Sequence, residues 1–362
     1  MYRKIKVRFK VLRNGVEYAE LYAKDSPSLY MSKSSDIKMS MQGTFLSTIV
    51  DTKGKEAEMD WLKDEIQPVL IIDGEEYPLA VLMPAQVTPA KKSTGKEVSV
   101  QAFDRCWRVS DTKTESLVHI AAGTNYITAI SGFLAQAGVA IVIQKPTTAT
   151  ISEDREDWGI GTSLLTIVNK LLSEINYENL WFNANGAAML QPVQFTSAQN
   201  IKRIYTDKPI DPRNLNAIPI NNISPEVKMT NDIYKSPNVF VCICSNADKS
   251  GSMIATSENT NPQSILSTVR RGRRIAQVIK VDNIASQEAL QDYADKLRDE
   301  SMVTGEIYNF QTLLLPNCGV SDITALQMDD LNALCVEEDW RMTLGVGGVM
   351  EHSLKRVVVN IG

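Results

Sequence analysis

The chain has 362 residues, 43% hydrophobic and 22% charged, with a formal net charge of −5. That length predicts two or three domains, because single cores rarely grow past about 250 residues. The acidic balance argues against nucleic acid as the main partner, and no run of about 18 apolar residues is present to span a membrane.

The opening MYRKIKVRFKVLRNG alternates polar and apolar residues and lacks the apolar centre of a secretion signal. Five cysteines (Cys106, Cys242, Cys244, Cys318 and Cys335) are an odd number in a long chain and suggest no disulfide framework. Synthesis in a reducing cytoplasm, without a signal peptide, is the expectation.

Ile5, Val7, Phe9 and Val11 alternate with Lys4, Lys6, Arg8 and Lys10, which predicts a strand buried on one face. Asn14-Gly15 tolerates the positive φ of a tight hairpin turn. Ile37, Met39 and Met41 alternate again, and Phe45 to Val50 continues the apolar content. Val69 to Ile72, the turn Asp73-Gly74 and Tyr77 to Met83 form a second hairpin pattern. A polar loop from Ala90 to Lys96 leads to a strand in which Val98, Val100, Ala102 and Cys106 share a face. Five or more short strands predict a small antiparallel barrel or sandwich over residues 1–113.

From Thr114 the pattern turns helical. Leu117, Val118 and Ala121 suit one helical turn. Thr124 is placed to cap a helix bearing Ile127, Ile130, Phe133, Leu134 and Ala137, and Gly138 is placed to stop it. Val139 to Ile143 reads as a strand and Lys145 to Asp157 as a polar loop. Thr162 or Ser163 then caps a helix with Leu164, Ile167, Val168, Leu171, Leu172 and Ile175 on one stripe. Leu180-Trp181-Phe182 and Met189-Leu190, with turn residues Asn183 to Gly186 between them, complete a helix-on-hairpin unit. Residues 114–206 are therefore a mixed α/β domain.

Residues 207–362 return to β. Pro209, Pro212, Pro219 and Pro225 punctuate a linker-like start, and Asn238 to Cys244 reads as a continuous apolar strand buried on both faces. Ser245 to Gln263 reads as a long polar loop, and Ile275 to Val281 as a strand. Ser286 caps a helix at about 286–301 with Leu290, Tyr293, Ala294 and Leu297 on one side. Glu306 to Leu315, Thr324 to Met328, Trp340 to Val346 and Arg356 to Ile361 are further strands. The helix is expected to close or plug a barrel. The fold class is α+β, mainly β, with two similar antiparallel β-barrel domains around the mixed one.

Residues with chemistry to offer are sparse. His119 is placed in a helix and His352 in a C-terminal loop, and neither has a nucleophile or base at catalytic spacing. Cys242-Ile-Cys244 puts two thiols on one strand face with no second ligand pair, so small buried apolar residues explain it better than a metal. Arg270-Arg-Gly-Arg-Arg274 suits a loop or an interface better than phosphate binding. Gly345-Val-Gly-Gly348 lacks the following helix of a phosphate loop and reads as a turn. No catalytic, cofactor-binding or metal-binding residue is assigned, and no enzyme activity is expected.

The order of parts is similar to that of the baseplate hub proteins of tailed phages, with their relatives in defective prophages and R-type bacteriocins. The segments that carry the resemblance are QPVLIIDGEEYPLAVLM, EVSVQAFDRCW, DWGIGTSLLTIVNKLLSEINYENLWFNANG, SPNVFVCI, SQEALQDYADKL and ALCVEEDWRMTLGVGGVMEHSLKRVVV. It implies two tube-like β-barrels per chain. It also implies a homotrimeric ring joining a sixfold tail tube to a threefold spike, in a virion or bacteriocin particle. The implied partners are the chain itself, the tail tube or tube-initiator protein, the central spike protein and other baseplate proteins, with the tape measure protein a further candidate. A tail-tip hub of a non-contractile tail is the alternative. A peptidoglycan-degrading tail enzyme is disfavoured because no catalytic Glu, Cys–His or zinc signature is present.

Overall fold

A computed structural model describes residues 4–92, 95–193, 200–208, 218–220, 223–224, 226–231, 236–244, 253–281, 284, 286–302, 306–319, 322–328 and 331–357. The fold is mainly β with few helices. The first part holds β1 (Ile5–Arg13), β2 (Val16–Leu21), β3 (Ser28–Ser32), β4 (Met39–Leu46) and β5 (Ile49–Asp51). It continues through β6 (Glu56–Ala57), β7 (Glu65–Ile72), β8 (Glu75–Pro78), β9 (Leu82–Lys92) and β10 (Gly95–Asp104). Asn14, Gly15, Asp73 and Gly74 all take positive φ at the β1–β2 and β7–β8 turns, as the hairpin signals require. The stretch read as a polar loop at Ala90 to Lys96 is instead the tip of the β9–β10 hairpin, whose ladder runs out to Lys92↔Gly95.

The middle part holds α1 (Cys106–Asp111), α2 (Tyr126–Gln136), β11 (Val142–Gln144), α3 (Leu164–Glu174), β12 (Trp181–Phe182) and β13 (Ala188–Leu190). Cys106 opens α1 rather than ending a strand. Leu117, Val118 and Ala121 lie in irregular backbone, not in a helical turn. There residues 113–120 are tied antiparallel to 155–163, so backbone partners lie outside any helix. Asn125, not Thr124, caps α2, its side chain accepting from the amides of Ile127 and Thr128. Gly138 takes φ +74 just past the helix end. The α3 stripe is buried as read and packs with Cys106, Val109, Ile130, Leu134 and Leu180 in one core. The first helix after β10 thus belongs to the middle core.

The last part holds β14 (Arg203–Thr206), β15 (Ile218–Ile220), β16 (Lys228–Asn231), β17 (Val239–Cys244), β18 (Met253–Glu258), α4 (Thr268–Arg271) and β19 (Ala276–Val281). It ends with α5 (Gln287–Met302), β20 (Glu306–Leu313), β21 (Ile323–Met328), β22 (Leu331–Thr343) and β23 (Val349–Val357). Met253 to Glu258 is a strand where a loop was expected. Its alternation is weak, and its partner β17 supplies the order. Pro209, Pro212 and Pro225, and Val358 to Ile361, lie outside the described residues.

The helix α5 does not plug a barrel. It lies on a separate three-stranded sheet, β18-β17-β19, where Leu290 and Ala294 pack on Cys242, Cys244 and Ala255. Ser286 Oγ accepts from Ala289 N at 3.1 Å, as the capping pattern indicated.

Seventeen strands from both ends of the chain belong to one sheet. The connection is β3 against β22, antiparallel from Ser28↔Thr343 to Ser32↔Asp339. Neither β-rich half is closed by full ladders. In the first, β7 meets β9 only at Ile66↔Leu82, and the end of β2 meets β4 through the isolated bridge Ala23↔Phe45. One core runs through both halves, with Leu29, Met31, Phe45 and Leu70 beside Tyr308, Trp340, Met342 and Leu354. A fully buried aliphatic side chain of this kind contributes about 1.5–3 kcal/mol.

Gly43, inside β4, lies against Pro27, just before β3. A Cβ there would sit 2.7 Å from Cβ and Cγ of Pro27, a ring that cannot swing away. Gly43→Ala is expected to destabilise the fold by about 1–3 kcal/mol, measured by urea unfolding; an unchanged midpoint would show that the β3–β4 contact gives way freely.

Candidate functional site

Burying a charge is unfavourable unless a partner and hydrogen bonds replace water. Where the fold does so, it joins separate parts of the chain. Arg105, just before α1, donates from Nε and Nη2 to both carboxylate oxygens of Glu65 on β7, at 2.8 and 2.6 Å. Its third arm, Nη1, donates to the Gly186 carbonyl in the β12–β13 turn. Gly186 has φ +75, and a Cβ there would lie 2.9 Å from Arg105 Nη1, so the turn fits only glycine. One guanidinium therefore fastens the first β half to the middle unit.

Within the middle unit, Arg155 donates to Glu174 of α3 at 2.8 and 3.2 Å, and Tyr126 donates to the same carboxylate at 3.0 Å. In the last part, Arg203 of β14 donates to Asp322 at 2.7 Å and to the Asn317 carbonyl. Burial pushes the Asp322 carboxyl up, but Lys202 and Arg203 outweigh it and hold it below the usual range.

His352 is not in a loop. It lies in β23, fully buried, with Nδ1 2.7 Å from Glu337 Oε1 and Nε2 2.9 Å from Thr312 Oγ1. Phe310 stacks on its ring at 5.1 Å, and Tyr205 donates to Glu337 at 3.3 Å. Sequence reasoning missed Glu337 because a charged residue in a strand normally marks the wet face. His119 is likewise not helical; it is exposed, with Nδ1 3.2 Å from Glu156. The structure does not bring the two histidines together.

Cys242 and Cys244 both face α5 from β17, as expected for one strand face. All five thiols are free. Burial pushes Cys242 up to about 11 and Cys318 and Cys335 to about 12, so these sulfurs stay protonated near neutral pH. Arg270 and Arg271 end α4, and Gly272 takes φ +63 as its C-cap. Gly345 to Gly348 is the β22–β23 turn, with Val346 fully exposed. No group of three metal-ligating side chains is clustered among the described residues.

A concavity of about 440 Å³ lies where the three parts meet. Lys33 and Lys38 from the first half, Glu178 and Trp181 from the middle unit, and Lys202, Lys296 and Asp322 from the last line it. Burial depresses the Lys38 ammonium, which donates to the Lys33 and Ser35 carbonyls. Nearby Asp104 is fully buried. Desolvation raises its carboxyl to about 6, although it accepts from the amides of Met39 at 2.8 Å and Cys106 at 2.9 Å. The concavity contains amides and paired charges but no nucleophile–base pair.

No protein-family model matches the sequence, and no curated protein does. Solved structures share its fold. A tail protein from Neisseria meningitidis MC58 superposes with a TM-score of 0.66 at 13% identity over 97% of each chain. The prophage MuSo2 43 kDa tail protein from Shewanella oneidensis does so at 0.63 and 12% identity, over 98% of each. The prophage tail protein gp18 from Listeria monocytogenes EGD-e gives 0.57 and 12% identity, over 96% of this chain and 94% of that one. The chain has the fold of phage tail proteins.

A carboxyl with a raised folded pKa holds its proton more tightly in the folded chain than in the unfolded one. Asp104 therefore contributes a loss of stability as pH climbs from its ordinary value of 3.8 through about 6. Relative to the parent chain, Asp104→Asn is expected to gain stability over that interval, followed by urea unfolding at several pH values. A stability difference that stays flat with pH would contradict a buried, proton-holding Asp104.

Proposed function

We propose that the chain is a structural baseplate hub of a contractile phage tail or a phage-tail-like bacteriocin. Its copies form a trimeric ring that joins a sixfold tail tube to a threefold spike. The observation that carries this reading is the superposition over nearly the full length of both chains with phage and prophage tail proteins.

The physical logic concerns symmetry and stiffness. Three chains meet a sixfold tube evenly if each presents two comparable β surfaces. The first β-rich half curls towards a barrel, and the second is taken to present a comparable surface. In the first, the ladders run β2-β1-β7-β9-β10-β4 and return towards β2 at Ala23↔Phe45. The mixed unit, from α1 to β13, then sits beside the ring. Shared strands and core couple the halves, so load applied at one reaches the other.

The role proposed is mechanical, not catalytic. The only histidine held in a polar network among the described residues, His352, is sealed in the core, and the thiols discussed above are held protonated. The expected partners are further copies of the chain, a tube or tube-initiator protein, a spike protein and neighbouring baseplate proteins, with the tape measure protein a further candidate. No helix among the described residues is long and apolar enough to cross a membrane, and the place proposed for the chain is the particle's tail.

Symmetry-resolved imaging of the assembled particle tests this directly. Three copies at the junction between tube and spike are expected. Six copies there, or a position elsewhere in the tail, would overturn the reading.

A further inference from the structure

Among the described residues, the small sheet β18-β17-β19 is covered by α5 on one face. On the other, Val241 and Ile243 of β17 lie between Ile254 of β18, 54% exposed, and Val278 of β19, 58% exposed. β19 pairs with β17 alone, leaving its outer edge open among the described residues. Beside the Glu258 end of this face, Arg270, Arg273 and Arg274 are exposed on α4 and the turn after it, while the exposed Lys280 lies on the face itself towards its other end. Arg274 is paired with Glu258, whereas the Arg270 and Arg273 side chains have no ion pair with a described residue. An open strand edge with an apolar face and a cationic border is a surface adapted for a partner that is apolar and acidic.

The same chain carries the complement. Just past the end of α1 at Asp111, residues 113–120 run antiparallel to 155–163, through Thr114 N to the Thr162 carbonyl at 2.9 Å and Ile120 N to the Arg155 carbonyl at 3.0 Å. That pairing gathers the exposed carboxylates of Asp111, Glu115, Asp154, Glu156 and Asp157 around Leu117, 70% exposed, and Ile160, 72% exposed. Lys113 and His119 also lie there, and Arg155 pairs with Asp157, but the carboxylates outnumber these groups.

The two faces lie apart within one chain. Asn176, at the far end of α3, donates to the Ala289 carbonyl at the start of α5. The acidic face is at the other end of α3, roughly 16 Å away at the helical rise per residue. The basic border sits at the Glu258 end of β18, next to the later turns of α5, where Ser257 meets Asp295. We infer that the basic, apolar edge around β19 of one copy docks on the acidic, apolar surface around Leu117 and Ile160 of the next. Such a contact is heterologous, and it builds a ring when its rotation closes. Taking the partner to be a second copy rests on the ring reading above.

Sedimentation velocity of the full chain at low and high salt tests this, with circular dichroism confirming the fold of each variant. All four sites to be changed are exposed, and Lys at position 111 suits the end of α1. Self-association of the parent chain is expected to weaken with salt. Arg270→Glu with Arg273→Glu, and separately Asp111→Lys with Glu115→Lys, are each expected to weaken it at least about tenfold, and combining all four to restore it to within about threefold. The milder Arg273→Gln and Glu115→Gln give the same comparison if a reversal variant misfolds. A parent chain that does not self-associate, reversals without effect, or a four-site variant as weak as either pair would overturn the interface. A particle holding three copies joined through other surfaces would overturn it too, and would leave the ring reading standing.

Discussion

Residues 28–32 and 339–343 lie about three hundred positions apart, yet they are neighbours in one β ladder. The rest of the structure depends on this pairing. It puts Leu29 opposite Met342 and Met31 opposite Trp340, so the two β-rich halves share a core as well as a hydrogen-bonded edge. It also removes the exposed strand edge that each half would otherwise present, a common route to unwanted association. A bulge between Glu337 and Asp339 adds local twist where β22, still paired with β23, leaves β21 for β3. The Lys33 amide then donates to the Glu338 carbonyl at 2.8 Å and extends the join by one bond.

The buried charges reinforce the same arrangement. Arg105 ties β7 to the β12–β13 turn, and Arg203 ties β14 to the segment before β21. Replacing such groups with apolar residues of similar volume is often neutral or stabilising, so they are weak evidence for stability as such. A bidentate arginine is directional, however. Arg105 makes all its described bonds in one relative placement of the first half and the middle unit. For a component that must hold a fixed shape under load, that specificity is the more useful property.

Local order was legible in the sequence because short-range rules decide it. The positive-φ pairs Asn14-Gly15 and Asp73-Gly74, the apolar stripe of α3 and the Ser286 cap of α5 each needed only a few neighbours. Long-range partners decided the rest. Met253 to Glu258 is a strand because β17 lies beside it, and Ala90 to Lys96 is a hairpin tip because β9 and β10 pair to their ends. The segment around Leu117 stays irregular because its backbone is satisfied by residues 155–163. The sequence pattern places His352 in a C-terminal loop and does not single out Glu337, since nothing near them in sequence announces that they satisfy each other inside the core. The resemblance to tail hubs rested on the order of segments, and order survives when identity has fallen to 13%.

A scaffold role therefore reduces to one physical claim, that both β-rich halves move as a single body through the β3–β22 ladder. Native-state hydrogen exchange of the β3 and β22 amides measures it most directly. The account expects these amides to open only with the deepest core strands, at the free energy of global unfolding. Exchange at much lower free energy, with the two halves each remaining protected, would show the halves to be independent and would contradict it.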